Sequence, residues 1–316
     1  MQKRMPDFFI VGAAKAGTTA LYAYLQQHPQ VFMSRIKEPN YFAKDINPDH
    51  LRPQVKKMME AENISSFLNS ASGEVLHRAY LQNETDYLKL FQHAPADKKA
   101  GEASASYLYS TVAAEEIYKA QPQARIIIML REPSQRAYSH YLMDLKIGFT
   151  TRSFADALEE DRLHHPKGWG GNSLYRELGF YYEQVKRYLD IFPPEQVCIL
   201  LQDDLKKNKK ETLTKVFRFL GIDDEFVPDE SGFKNEAAVP SGKLASMLMR
   251  SSKLRIHLRR LLKDSALKRI LLRLIYKKPE QSEGDRIQLQ LLKKEYAEDI
   301  RKLSSLINRD LTTWLT

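Results

Sequence analysis

The apolar positions along the chain follow two periods. Short unbroken runs at 8–12 (FFIVG), 31–34 (VFMS), 125–130 (RIIIML) and 197–202 (VCILLQ), several rich in β-branched residues, predict central buried strands. Apolar residues spaced by three or four positions predict helices over 17–27, 84–93, 111–120, 134–147, 153–163, 174–191 and 209–220. Strands separated by helices predict an α/β fold with a mostly parallel central sheet covered on both faces, and such a sheet binds ligands at the carboxyl ends of its strands. The periodicity weakens at 47–67, 164–173 and 228–242, where Pro, Gly, Asn and Ser gather, as expected of loops that shape a cleft. The 316 residues show no internal repeat and predict a single domain.

The stretch FFIVGAAKAGTTALYAYL at 8–25 reads as a strand, a glycine-containing loop and a helix. Gly12 and Gly17 have the spacing of a nucleoside-triphosphate loop, yet Thr18 stands where that pattern needs lysine, and Lys15 lies three positions earlier. A helix starting near Gly17 presents unpaired backbone N–H groups and the positive end of its dipole to an anion. Thr18 and Thr19 add hydroxyls and Lys15 a full charge. Taken alone, a glycine turn between strand and helix often serves only close packing, the lesser of the two readings here. A second segment, ARIIIML followed by REPSQRAYSHY, brings Arg131 out of a buried strand, with Ser139 eight residues on. An arginine fork and a hydroxyl together grip one phosphate. Arg131 by itself reads as a strand-end salt bridge, and Arg136 as a partner of a helix-surface carboxylate. Two anion sites at the ends of two parallel strands imply a ligand with two separated phosphates.

Together KAGTTAL and REPSQRAYSHY resemble the 5'-phosphosulfate loop and 3'-phosphate motif of the sulfotransferases that use 3'-phosphoadenosine 5'-phosphosulfate (PAPS). The likeness extends to KEPNYF at 37–42, GEASASYLY at 101–109, FPPEQVCILLQDDL at 192–205 and LINRDLTTWL near the end, and is nearest to the bacterial and carbohydrate (heparan-type) branch. It implies a P-loop-like α/β fold with helical C-terminal additions and no metal. It implies that Lys15, Ala16, Gly17, Thr18 and Thr19 hold the 5'-phosphosulfate, and that Arg131 and Ser139 hold the 3'-phosphate of PAPS and of its product, adenosine 3',5'-bisphosphate. Glu38, in KEPNYF, takes the position of the branch's catalytic base, and Lys243, in VPSGK, that of its basic late loop. Ala103 departs from the lysine that often follows the glutamate of the GEAS segment, and VPSGK is a reduced form of the late loop, so the acceptor contacts differ. The implied reaction is sulfuryl transfer to a hydroxyl or amine of a small-molecule or oligosaccharide acceptor, a carbohydrate or a lipid-linked natural product. Lys15 would offset charge on the bridging oxygen and Glu38 would take the acceptor's proton.

Charge adds one feature. The net charge is +9, and residues 253–278 hold ten Lys/Arg and one Asp, so the other 290 residues balance. Leu254, Leu258, Leu261, Leu262, Leu267, Ile270, Leu271, Leu274 and Ile275 recur there at helical spacing, with the cations largely elsewhere on the wheel. Such a segment is either a solvated cationic helical face or a docking element for an anionic membrane or polyanionic acceptor. No nucleic-acid partner is read. The N-terminal apolar run is too short for a signal peptide and no run is long enough to span a membrane, so the expected location is cytoplasmic, or peripheral at a membrane. The single cysteine, Cys198, excludes an intramolecular disulfide and reads as a core residue. His140 points about 100° away from Ser139 on its helix and reads as a surface or core-edge residue. His164 and His165 lack ligand-spaced partners, Asp203 and Asp204 read as capping residues, and the aromatics of GFYYEQVKRYL read as core. Two other functions use the same features: a P-loop kinase, disfavoured by Thr18 and by the lack of a Mg²⁺-binding aspartate, and a non-catalytic binder of polyanions or membranes.

Overall fold

Phe8–Gly12 (β1) is the middle strand of a five-stranded sheet, and each of its residues is buried, so both faces of the sheet are covered. The structure, a computed structural model, describes residues 4–61, 64–70, 75–229, 239–240, 276–277 and 280–316. The strands are β2 (Val31–Met33), β3 (Ile36–Glu38), β4 (Leu76–Arg78), β5 (Lys99–Ala103), β6 (Arg125–Leu130) and β7 (Val197–Leu201). The large sheet runs β2-β5-β1-β6-β7 with every neighbouring pair parallel, and β3 and β4 form a separate parallel pair.

The four apolar runs became β1, β2, β6 and β7 within a residue of the expected bounds. The strand that joins β1 to β2 escaped the pattern. β5 reads KAGEA, with no branched aliphatic residue, and is a strand because its neighbours leave room for little else. Gly101 lies opposite Phe8, and a Cβ at 101 would stand 2.1 Å from Phe8 Cζ, so the phenyl ring occupies the space a side chain there would need.

The helices are α1 (Thr18–Gln27), α2 (Pro53–Ala61), α3 (Ile64–Asn69), α4 (Glu84–Lys89), α5 (Ser106–Tyr109) and α6 (Ala113–Ala120). They continue with α7 (Pro133–Ile147), α8 (Phe154–Leu163), α9 (Tyr181–Ile191), α10 (Gln202–Lys207), α11 (Lys209–Leu220) and α12 (Glu283–Leu306). α7 begins sharply because Glu132 accepts hydrogen bonds from Ser134 N and Gln135 N (2.8 and 2.9 Å) and Pro133 takes the first helical position; Gly148 ends it in the left-handed region.

The helix expected over 174–191 starts only at Tyr181. The carboxylate of the buried Asp161 accepts from the N–H groups of Ser173, Leu174 and Tyr175 at 2.8–3.1 Å, which commits that backbone outside a helix. α12 is a helical C-terminal addition of the kind the resemblance implies, over a stretch where many residues are charged. A Ser282–Asp285 capping box starts it, and Leu289, Leu292, Tyr296, Ile300 and Leu303 form its one buried stripe, packed on α7, α8 and α9. Apart from Tyr276–Lys277, which pairs with Val239–Pro240, the basic segment 253–278 lies outside the described residues, and so does Lys243. No described helix is long and apolar enough to cross a membrane.

Candidate active site

The loop from Gly12 to Gly17 leaves the carboxyl end of β1 and turns into α1. Ala13 N donates to Met129 O on β6 (2.6 Å) and Ala16 N to Ala13 O (3.1 Å), which curls the chain tightly. Gly17, at φ 103°, is the N-cap of α1 and supplies no side-chain cap, so the first-turn N–H groups face away from the helix without one. Lys15 is itself left-handed, at φ 68°, an unusual conformation for a side-chain-bearing residue and one that clusters at ligand sites. Thr18 is buried and Thr19 exposed.

Arg131 follows β6, and its Nη1 donates to the backbone oxygen of Lys15 at 3.2 Å. Tyr181 OH on α9 donates to Arg131 O (3.0 Å) and holds the arginine from behind. Ser139 lies half-buried two turns into α7 and one turn before Met143, whose Sδ is 3.4 Å from Lys15 Nζ. The α7 face carrying Ser139 and Met143 is therefore turned toward the loop. Burial foremost, and then the charge of Arg131, lower the pKa of Lys15 to about 8, against the opposing pull of Asp144 and Glu38. Val239–Pro240, shortly before Lys243 in sequence, also lies against α7.

Glu38 ends β3. Its carboxylate is buried and paired with Lys37 Nζ at 2.7 Å and with Arg78 Nε at 3.4 Å across the β3–β4 register. Burial alone would raise its pKa; the charges of Lys37, Arg78 and His77 outweigh that and bring it down to about 2. α7 presents a second buried carboxylate, Asp144, which like Glu38 acts electrostatically on Lys15 and Arg78; it accepts from Ser173 Oγ and from Tyr175 OH (2.7 Å), with Arg52 Nη1 at 3.8 Å. Burial raises its pKa.

Lys15, Arg131 and Glu38, far apart in sequence, are thus gathered at the carboxyl ends of β1, β6 and β3. His140 sits at the core edge, as its place on the helix implies, with its ring packed edge-on against Tyr175 at 5.4 Å. Burial and then the charges of Arg136, Lys15, Arg52 and Arg78 push its pKa well below the usual histidine value, so it is neutral. Arg136 corrects the expectation of a surface pair: it is wholly buried and donates to the carbonyl of Tyr175. Tyr181 and Tyr188 are core, Cys198 is a buried thiol, and Asp203 and Asp204 stand in the first turn of α10, where Asp204 also pairs with Arg309 at 3.0 Å. Arg52, Arg78 and Asp144 were missed. Only Asp144 carried a sequence signal, because it falls on the α7 face that continues from His140.

A family model described as "Sulfotransferase family" matches residues 6–226. Among curated proteins, carbohydrate sulfotransferase 15 of Mus musculus is 27% identical over 254 residues, which cover 69% of this chain and 44% of that protein. Bifunctional heparan sulfate N-deacetylase/N-sulfotransferase 3 of Homo sapiens is 26% identical over 232 residues, 69% of this chain and 22% of that one. The chain therefore spans less than half the length of these curated relatives. Among solved structures, a sulfotransferase from Alicyclobacillus acidocaldarius superposes with a TM-score of 0.71 at 29% identity, covering 99% of this chain and 100% of the other.

Proposed function

The chain belongs to the sulfotransferase family, and from that premise we propose that it transfers a sulfuryl group from PAPS to a hydroxyl or amine of an acceptor. The observation that carries the reading is the hydrogen bond from Arg131 to the Lys15 backbone, which joins two anion sites at the ends of adjacent parallel strands. The residues present fit such a donor. The N-terminus of α1 lacks a side-chain cap, and the hydrogen bond described for the Lys15 ammonium goes to a thioether, a weak acceptor that a phosphate oxygen would replace with gain. Lys15, Ala16, Gly17, Thr18 and Thr19 would hold the 5'-phosphosulfate, and Arg131 and Ser139 the 3'-phosphate; Lys243, outside the described residues, stays a donor-contact candidate on its sequence position alone. When bound, the donor supplies an activated sulfuryl group.

Lys15 then stabilises the negative charge that grows on the leaving phosphate. Glu38 accepts the proton of the attacking group. A carboxylate with a pKa of about 2 is a weak base toward an intact hydroxyl, but the oxygen that has begun to bond to sulfur is far more acidic than any carboxylic acid, so the transfer runs downhill late in the reaction. The names of the curated relatives support a saccharide as acceptor. The basic segment 253–278 would bring a cytoplasmic enzyme to an anionic surface, either a membrane or the acceptor itself.

Calorimetry with adenosine 3',5'-bisphosphate, against ATP with Mg²⁺, tests the reading. Binding of the first and not the second is expected, and the reverse would overturn the sulfuryl-transfer reading in favour of a kinase. A screen of sugars, lipids and phenols with labelled donor then finds the acceptor.

A further inference from the structure

Behind Glu38 runs a buried polar chain that touches no reacting atom. Asn40 is 4% exposed and left-handed, at φ 54°. Its Nδ2 donates to Glu38 O (2.8 Å) and to Ala79 O (2.7 Å), its Oδ1 accepts from Ser106 Oγ (2.6 Å), and its backbone N donates to Ser104 Oγ (3.1 Å). Ser104 Oγ in turn donates to Glu102 Oε1 at 2.8 Å, and Tyr87 OH donates to the other carboxylate oxygen. Both amide hydrogens of Asn40 are used, one on Glu38 at the end of β3 and one on Ala79, the residue that follows β4.

We propose that Asn40 is a positioning residue for the transfer: its carboxamide, anchored to α5 through Ser106, with its backbone tied through Ser104 to Glu102 on β5, clamps the end of β3 to Ala79 just beyond β4 and so sets Glu38 and Arg78 against the Lys15 loop. This rests on the role given to Glu38 above. The clamp matters because β3 and β4 are three residues long, with Ile36 opposite Leu76 and Glu38 opposite Arg78, and past Arg78 their backbone ladder continues through Ala79 N to Glu38 O and Leu81 N to Pro39 O. A two-stranded ribbon that short is marginally stable on its own. The chemistry at position 40 is demanding. Two donors and one acceptor are required at a positive φ, which asparagine tolerates, whereas aspartate has no donors and glutamine is a methylene too long. The anchor is rigid because Glu102 is wholly buried on the central sheet, faced by the hydroxyls of Tyr87 on α4, Tyr107 on α5 and Ser104. A displacement of the reacting groups by about 1 Å costs on the order of 100-fold in rate.

The test compares Asn40→Gly, which keeps the left-handed backbone and deletes the carboxamide, with Asn40→Asp, which keeps the shape and deletes the donors. Both should lower kcat by about 10- to 100-fold while affinity for adenosine 3',5'-bisphosphate stays within about twofold. In a Glu38→Gln background neither should lower kcat further, because the group they position is already gone. A role confined to folding predicts the opposite on each count: additive losses, and donor affinity falling with rate. A normal kcat in Asn40→Gly would overturn the proposal outright. Direct titration of the Glu38 carboxyl by carbon NMR tests the clamp without any reaction. In Asn40→Gly the carboxyl should titrate higher than in the wild type, as the pairs with Lys37 and Arg78 loosen, and an unmoved titration would refute the clamp. Failure of the wild type to bind adenosine 3',5'-bisphosphate would instead refute the reading of the enzyme and leave the titration to decide the clamp.

Discussion

Arg131 Nη1 stands 3.2 Å from the backbone oxygen of Lys15, so the residue that follows β6 holds the loop that leaves β1. The contact makes the two proposed anion sites one structure. A ligand that grips Arg131 also braces the strained backbone of Lys15, and a change at either residue should be felt at both ends of a bisphosphate.

Arg131→Ala should weaken binding of adenosine 3',5'-bisphosphate by about 10- to 100-fold, since it removes a charge-assisted contact worth about 1.5–3 kcal/mol and frees the Lys15 carbonyl. Ser139→Ala should cost about tenfold or less, a neutral hydrogen bond. Calorimetry on the two variants measures both, and equal affinity in variant and wild type would remove the 3'-phosphate from these residues.

Lys15 titrates at about 8 in the folded chain against an ordinary 10.5. Between those values the unfolded chain binds more protons, so Lys15 makes the fold more stable as pH rises through that window. Ligand binding runs the other way. An anion favours the charged ammonium, so above about pH 8 binding should take up a proton and weaken with rising pH. Calorimetry near pH 9 in buffers of different ionisation heat reads the uptake directly, and Lys15→Met should abolish it along with most of the turnover. Binding heats that are independent of the buffer would place Lys15 away from the anion.

Glu38→Gln should leave donor affinity in place and lower single-turnover rate by roughly 10²- to 10⁴-fold, the range of general-base catalysis. The buried pair with Lys37 means that the variant will also melt lower, so the rate has to be counted per folded molecule. A near-normal rate in the folded fraction would leave Glu38 as an ion-pair residue only.

The same carboxylate should shape acid stability. Its pKa is lowered from 4.5 to about 2 in the folded chain, so its contribution is complete above pH 4.5 and is lost as pH falls from 4.5 toward 2. The shift corresponds to about 3 kcal/mol at most. Melting curves of wild type and Glu38→Gln should therefore converge as pH drops through that window; a constant gap between them would mean that Glu38 is not held by its cations.

Gly101→Ala would set a Cβ 2.1 Å from Phe8 Cζ in the middle of the sheet. Overpacking of this kind costs about 1–3 kcal/mol, and Phe8→Leu in the same chain should restore part of the melting temperature. An unchanged melting temperature for Gly101→Ala would show that the ring can move aside.

How much of this was written along the chain depends on the range of the interactions. Four strands of the central sheet, the phosphate loop and α7 follow from local signals: apolar runs, a glycine spacing, and an arginine and a serine eight residues apart. Those signals, with the family resemblance, nominate Lys15, Ala16, Gly17, Thr18, Thr19, Arg131 and Ser139 as donor contacts, and the resemblance of KEPNYF to a known motif adds Glu38. The pairing of Glu38 with Arg78 had no such signal, because β3 and β4 have no apolar period and meet only by register across a gap of forty residues. β5 is a strand by virtue of what surrounds it, Phe8 over Gly101 and buried hydroxyls around Glu102. Arg136 looked like a surface residue in a polar helix and became a buried one when the carbonyl of Tyr175 packed onto it. Local signals therefore determined the strands and the loop at which we propose the anions are held, whereas the carboxylate's electrostatic setting, and the Asn40 network behind it, came into being only when distant segments packed together.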